Sequence, residues 1–311
     1  MAALIALDWG TSSLRGYLLA GDGSILETRR QPWGLRNLPE GGFAAALAGI
    51  SRGWPRLPRI AAGMVGARGG WREMPYLATP TGVARLARAL GEIVAADGAP
   101  LRLVPGLRDP RGPDVMRGEE TQVLGAVARD PALAARATLV LPGTHSKWVE
   151  VRDGEVRGFR TAMTGELYAL LLRHSILGAD TGGDRDAGDE PAFVDGVRTA
   201  RDSGAAGALT RIFAARARLL DGSLAARAVP AWLSGLLVGE EIRGMRARCA
   251  EAGAEADAPV LVGDVALCAR YRLALQQFGI ASRTAAADAA AHGLWRIAAD
   301  AGLVSPTEHP R

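Results

Sequence analysis

The first thirty residues alternate short apolar runs with turns marked by glycine and aspartate. Leu4 to Asp8 reads as a strand ending on a carboxylate, and Gly10-Thr11-Ser12-Ser13 as a turn. Leu14 to Leu19 is a second strand, Ala20-Gly21-Asp22-Gly23 a second turn, and Ser24 to Thr28 a third strand. Tight Gly/Asp turns between β-prone runs predict hairpins, so the chain opens as an antiparallel meander. Mixed elements follow: a strand at Arg59–Gly63, a helix at about Gly82–Ala96, a strand at Leu101–Pro105 and a helix from Glu119 to about Arg129. That alternation predicts a layered α/β domain.

The opening layout then returns. Thr138 to Leu141 is a strand, Pro142-Gly143-Thr144-His145-Ser146 a turn, and Lys147–Val151 a strand. Arg152-Asp153-Gly154-Glu155 is the next turn and Val156–Thr161 the next strand. Gly10-Thr11 corresponds to Gly143-Thr144, and Asp22-Gly23 to Asp153-Gly154, which reads as a structural duplication. The rest is mostly helical, at about Glu166–Ile176, Pro191–Ala200, Gly207–Leu220, Pro230–Ala252, Val265–Phe278 and Ala285–Ala299. Strands at Pro259–Val262 and Ile280–Thr284 complete a second sheet. Two domains are expected, residues 1–117 and 118–311, with the last helix free to pack back on the first and a frayed tail from Ser305.

Composition changes this picture little. With 311 residues, 48% of them hydrophobic, the chain can fill two cores. The formal net charge of +4 invites a nucleic-acid reading. The arginines are scattered on the solvated faces of Ala-rich helices, however, and no dense basic stretch interleaves with aromatics, so no nucleic-acid partner is expected. A mildly positive protein suits small anionic substrates. Cys249 and Cys268 show neither a disulfide framework nor a metal spacing. No basic leader precedes Leu4, and the longest apolar stretch, Val229 to Val238, is too short to span a bilayer. A cytoplasmic protein without membrane contact is therefore expected. The oligomeric state stays open, with a homodimer among the options.

Asp8 and Gly10-Thr11-Ser12-Ser13 carry the sharpest chemical signal. Glycine lets the backbone approach closely, and the turn's N–H groups and hydroxyls can cradle phosphate oxygens. Asp8 then sits where it can hold a hydrated Mg²⁺. The plain alternative is a hairpin with polar turn residues. Gly143 and Thr144 form the second such turn, and two of them can grip a nucleotide's phosphate chain from both sides. Lys147, the only lysine in the chain, can add a cation there, although strand alternation leaves its direction undecided. Glu119 and Glu120 open a helix after Arg117-Gly118. The helix dipole favours carboxylates there whatever their role, and it would keep one ionised to accept a substrate hydroxyl proton. The long glycine-rich segment from Ala61 to Tyr76 looks like a functional loop. Its Gly66, Arg68, Trp71 and Tyr76 are candidate substrate contacts. Gly263, at a strand-to-helix corner, would let a base or ribose approach the backbone. There is no Gly-x-x-x-x-Gly-Lys-Ser/Thr loop, no Gly-x-Gly-x-x-Gly fingerprint and no His-Glu-x-x-His motif.

These residues resemble the 2-dehydro-3-deoxygalactonokinase family of the actin/hexokinase/Hsp70 superfamily. The resemblance rests on Ile5-Ala-Leu-Asp-Trp-Gly10, Ala62-Gly-Met-Val-Gly66, Val115-Met-Arg-Gly-Glu-Glu-Thr-Gln122 and Leu141-Pro-Gly-Thr-His-Ser-Lys-Trp148. Met163-Thr-Gly-Glu-Leu167 and Leu233-Ser-Gly-Leu-Leu237 add to it. It implies an α/β fold of two actin-like (ribonuclease H-like) domains with a central cleft. It also implies ATP and Mg²⁺ as co-substrates, and phosphorylation of a small sugar acid, 2-dehydro-3-deoxy-D-galactonate, at its 6-hydroxyl. By that resemblance Asp8 and Gly10 to Ser13 form the first phosphate motif, Gly143 and Thr144 the second, and Gly263 lies in the adenosine motif. Glu119 or Glu120 stands where related sugar kinases place a catalytic aspartate, with Glu119 preferred. Arg15 and Arg117 are the first choices for the substrate carboxylate, ahead of Arg68 and Arg72. The rivals are a phosphohydrolase on the same fold, a kinase of another aldonic acid, and a sugar-sensing regulator, which would need a DNA-binding module ahead of residue 8.

Overall fold

The computed structural model describes residues 1–179, 181, 189–251 and 258–305, the last three positions before 252 by backbone only. The expected helix end at Ala252, the side chain of Cys249 and the tail after Ser305 lie outside the described residues.

The meander is β1 (Ala2–Trp9), β2 (Leu14–Ala20) and β3 (Ile25–Gln31). Then come α1 (Gly42–Ile50), β4 (Arg59–Gly63), β5 (Tyr76–Ala78), α2 (Val83–Arg88), β6 (Gly91–Val94), β7 (Pro100–Leu103), β8 (Gly106–Asp109) and β9 (Asp114–Met116). After these run α3 (Glu119–Arg129), α4 (Ala132–Ala135), β10 (Arg136–Leu141), β11 (Ser146–Arg152) and β12 (Glu155–Ala162). The chain continues with α5 (Thr164–His174), α6 (Glu190–Arg201), α7 (Ala214–Leu220), α8 (Val229–Glu251), β13 (Val260–Leu261), α9 (Val265–Gln277), β14 (Arg283–Thr284) and α10 (Ala289–Asp300).

Two compact units result: residues 1–139, 149–160 and 285 onward form the first, and residues 140–148 and 161–284 the second. The chain passes between them within β10, β11 and β12 and again after β14, rather than once after residue 117. Both α3 and α10 belong to the first unit.

The main sheet of the first unit has the order β3-β2-β1-β4-β7-β6. β1 lies antiparallel to β2 and parallel to β4. Its run Leu4 to Leu7 is buried, as a strand covered on both faces must be. The core there joins Leu7, Trp9 and Leu14 to Ala46, Leu47 and Ile50 of α1. The second sheet has the order β12-β11-β10-β13-β14. In each sheet a three-stranded meander is extended outward from its first strand by later strands, β4-β7-β6 in the first and β13-β14 in the second, so the duplicated layout is real. These are two actin-like, ribonuclease H-like α/β units. The core of the second is built on Phe193 and Val197 of α6 and on Trp232, Leu233 and Leu236 of α8.

A pair of glycines marks one helix crossing in each unit. A Cβ on Gly125 of α3 would lie 1.8 Å from the carbonyl oxygen of Ala289, and one on Gly293 of α10 would lie 1.8 Å from that of Thr121. Likewise a Cβ on Gly196 of α6 would lie 2.1 Å from the carbonyl oxygen of Trp232, and one on Gly235 of α8 2.0 Å from that of Phe193. Backbone meets backbone at both crossings, which only glycine allows.

Several elements differ from the sequence reading. The helix expected over Gly82–Ala96 ends at Arg88, and Gly91 to Val94 pair with β7 as a strand. Gly91 sits where a Cβ would meet the Met74 sulfur at 2.3 Å, and Ile93 and Val94 favour a strand. The helix expected over Gly207–Leu220 becomes a 3-10 turn, Ala208–Thr210, and the short α7. The strand expected at Ile280–Thr284 is only Arg283–Thr284. α10 starts four residues later than expected, after Asp288 with its φ of 59°. α1 and the small sheet β5-β8-β9 have no counterpart in the sequence pattern.

Candidate active site

In the first unit the site begins where β1 ends. Asp8 pairs in register with Arg15 of β2 and Ala62 of β4. The half-buried Asp8 carboxyl is pushed up by desolvation, and the Arg15 guanidinium opposes that shift. Arg15 also acts on the hydroxyl of buried Tyr17, whose own value is raised to about 12, chiefly by burial and then by Asp8, against the Arg15 charge. Arg15 is thus engaged with Asp8 and Tyr17.

The turn that follows is closed and backed. Gly10 N–H donates to the Ser13 carbonyl at 2.8 Å. The carbonyls of Gly10 and Thr11 accept from the N–H groups of Leu35 and Arg36, both at 3.1 Å. Gly34 lies against this turn so closely that a Cβ would come within 2.4 Å of Ser12 N and Thr11 O. The carbonyls are therefore consumed from behind, while the N–H groups of Thr11 and Ser12 meet no protein acceptor among the described residues. That is the arrangement an anion cradle requires.

The start of α3 is brought to the ends of β1 and β4 by two more glycines. Gly63, with φ 90°, faces Trp9 across the ladder, where a Cβ would sit 2.4 Å from the Trp9 carbonyl oxygen. Gly118, with φ 107°, would place a Cβ 3.3 Å from Gly63 Cα. Glu119 Oε2 accepts from Arg117 N–H at 3.0 Å, and Glu120 Oε2 from Gly118 N–H at 2.7 Å. Glu120 is fully buried, and its Oε1 has no hydrogen-bond partner. Burial, with the neighbouring charge of Glu119, pushes its pKa up to about 8. The dipole argument that such a carboxyl stays ionised fails for Glu120, because desolvation outweighs it. Glu119 is only half-buried.

This burial has a measurable consequence. Unfolded, the Glu120 carboxyl titrates near its ordinary 4.5; folded, near 8. Between these values the native state holds a proton that the unfolded chain has released, so stability falls as pH rises. What Glu120 contributes is complete below pH 4.5 and is lost on the way to pH 8. Glu120→Gln should therefore match the parent protein near pH 5 and exceed it by roughly 3–5 kcal/mol at pH 8–9. Denaturant unfolding across that range checks this. A difference that does not vary with pH would contradict the burial assignment.

Arg117 lies beside these glutamates. Its Nη2 donates to the Met74 carbonyl at 2.7 Å, and its guanidinium lies 4.2 Å over the Tyr76 ring. A Cβ on Gly66 would touch its Nη1 at 3.0 Å. Nε and Nη1 are buried without hydrogen-bond partners, donors that an anion would satisfy. The structure therefore gathers Gly66, Tyr76 and Arg117. Arg68 is exposed, Arg72 donates to the Glu92 carbonyl, and half-buried Trp71 stacks on Phe43 at 5.7 Å between centroids.

In the second unit, Gly143 and Thr144 are backed by Gly165, whose Cβ would lie 2.6 Å from Gly143 O. Glu166 N–H donates to Thr144 O at 3.0 Å, and the Glu166 side chain pairs with His145. Gly143 itself faces open space. Lys147 is buried, 5% exposed, and donates to Thr161 Oγ1 at 2.8 Å. Gly263, φ 132°, also faces open space and precedes Asp264, which caps α9 by accepting from Ala266 and Leu267 N–H.

Among the described residues no three His, Cys, Asp or Glu side chains cluster to hold a metal, and no helix is long and apolar enough to cross a membrane. The residues nevertheless suit Mg²⁺ brought by a nucleotide, which characteristically takes one or two carboxylates, substrate phosphates and water. Asp8, next to the Gly10–Ser13 turn, would provide that carboxylate.

The fold is thus a pair of duplicated actin-like units, each with a glycine-backed Gly-Thr turn after its first strand. The family model of 2-keto-3-deoxy-galactonokinase matches residues 8–297. The chain belongs to that family. It is 42% identical over 308 residues to the "Probable 2-dehydro-3-deoxygalactonokinase DgoK1" of Rhizobium meliloti (strain 1021), covering 94% of this chain and 97% of the relative. It is 38% identical over 293 residues to the 2-dehydro-3-deoxygalactonokinase of Escherichia coli (strain K12), covering 93% and 94%. A crystal structure from Sinorhizobium meliloti, named for the same activity, superposes with a TM-score of 0.83 at 40% identity, covering 95% of this chain and 98% of that one.

Proposed function

We propose that this protein transfers the γ-phosphoryl group of ATP to the 6-hydroxyl of 2-dehydro-3-deoxy-D-galactonate, a step of galactonate breakdown. The observation that carries the reading is the family match across residues 8–297, at 42% identity to a relative over nearly its whole length. The geometry of each unit supports it.

Glu119 is assigned as the base that takes the proton of the 6-hydroxyl. The hydroxyl oxygen bonds to the γ-phosphorus, the bond to the β–γ bridging oxygen breaks, and ADP leaves. Phosphoryl transfer is mainly positioning and charge neutralisation, so a carboxylate of ordinary basicity is enough. Glu120, held neutral at pH 7 by burial, serves as a neighbour that shapes the site rather than as the base. Arg117 takes the substrate carboxylate through Nε and Nη1, its ring contact with Tyr76 fixing the guanidinium plane. Arg15, engaged with Asp8 and Tyr17, is the weaker choice.

Gly10, Thr11, Ser12 and Ser13 would take phosphate oxygens in the first unit, and Gly143 and Thr144 would do so in the second. Gly263 would lie against the adenosine. Lys147 would act from within the strand, through Thr161, rather than as an exposed cation. Asp8 would hold Mg²⁺, which would supply neutralisation of phosphate charge. The rival phosphohydrolase reading shares these turns but needs no sugar acid. ADP release measured with and without 2-dehydro-3-deoxygalactonate separates the two.

A further inference from the structure

α8 is apolar along its buried side, where Val229, Trp232, Leu233, Leu236 and Ile242 enter the core of the second unit. Among its described side chains one carboxylate enters the same core, Glu241, 7% exposed. Its neighbour Glu240 instead pairs with Arg243 and caps Ala208 N–H. An isolated buried carboxylate is strongly disfavoured unless donors surround it. Glu241 has such donors. Oε1 accepts from Trp148 Nε1 at 2.7 Å. Oε2 accepts from Tyr271 Oη at 2.7 Å and from Thr164 Oγ1. Ser146 joins the cluster through its Oγ, which lies 2.6 Å from Tyr271 Oη.

These residues share one location. Ser146 and Trp148 are the first and third residues of β11, directly after the Gly143-Thr144 turn. Thr164 opens α5 and immediately precedes Gly165, the residue pressed against that turn. Tyr271 belongs to α9, the helix that begins after Gly263. One carboxylate thus ties the exit of the turn, its backing and the helix after the adenosine-motif glycine to α8. We propose that Glu241 is a positioning residue for the ATP site, setting the Gly143-Thr144 turn through Ser146, Trp148 and Thr164. The inference rests on the assignment of that turn to the phosphates of ATP.

The test is steady-state kinetics of Glu241→Ala, Glu241→Gln, Tyr271→Phe and Thr144→Ala, with thermal unfolding of each. Loosening a positioned phosphate site by a fraction of an ångström should raise KM for ATP about tenfold in Glu241→Ala and leave KM for the sugar acid within about twofold. Glutamine keeps the shape, and the Thr164 and Tyr271 hydroxyls can turn to accept from its amide, so Glu241→Gln should recover most of that loss. Tyr271→Phe, which keeps the packing should Glu241→Ala not fold, should show the same split to a lesser degree. A merely structural role would lower the melting temperature without separating the two KM values. That result, or an unchanged KM for ATP in the Glu241 variants while Thr144→Ala raises it, overturns the inference. An unchanged KM for ATP in Thr144→Ala overturns the assignment of the turn itself, and the inference with it.

Discussion

Glu119→Gln is expected to lower kcat by roughly 10²–10⁴-fold, the range that a positioned general base contributes. KM for the sugar acid should rise far less, because the lost interaction belongs to the transition state. The two adjacent glutamates offer an internal control. Both reach back to backbone N–H groups of the preceding residues, Glu119 to Arg117 and Glu120 to Gly118. They differ in solvation: Glu120 is fully enclosed and neutral below about pH 8, and Glu119 is half-buried. A neutral carboxyl has no proton vacancy to offer, so Glu120→Gln preserves the state that matters and should retain much more activity. Steady-state kinetics of the pair at pH 7 decides the assignment. A larger kcat loss in Glu120→Gln would reverse the roles.

Gly293→Ala should destabilise the first unit by roughly 3 kcal/mol or more, beyond the ordinary cost of an overpacked methyl. The new Cβ would sit 1.8 Å from the Thr121 carbonyl oxygen. Backbone cannot rotate aside as a side chain can, so α10 and α3 must separate. α3 carries Glu119 and Glu120 in its first turn, and separation would move them relative to Gly63 as well. Activity should therefore fall even in the fraction that stays folded. Gly244 in α8 is the matched control, since nothing lies within 4 Å of an added Cβ there. Gly244→Ala should be neutral or stabilising by up to about 1 kcal/mol. Denaturant unfolding of both variants checks the contrast, and equal effects would contradict the close crossing.

The parts of this architecture that could be read from residues are those set by local rules. The two meanders announce themselves through short apolar runs and Gly/Asp turns, and their strand orders match. Glu119 and Glu120 at a helix start, and the Gly-Thr turns, follow from spacing alone. What stayed hidden depends on partners distant in sequence. Gly91 to Val94 follow the Ala- and Leu-rich run from Val83 as if part of one helix, and they form a strand because β7 and Met74 are beside them. Gly125, Gly196, Gly235 and Gly293 look like weak spots in helices until their crossing partners are known. The pKa of Glu120 depends on enclosure that no neighbouring residue in the chain reveals. Glu241 is one of two adjacent glutamates in α8, and only the fold tells which of them faces Trp148, Thr164 and Tyr271. Lys147 was open in direction for the same reason: strand periodicity gives alternation but not which face is inside.

The most direct test is a coupled assay of ADP formation with purified protein, ATP and Mg²⁺, run with and without 2-dehydro-3-deoxygalactonate. Strong dependence on the sugar acid, with one ADP per sugar phosphate formed, is the result this account predicts. ADP formation at the same rate in its absence would contradict it and leave a phosphohydrolase in its place.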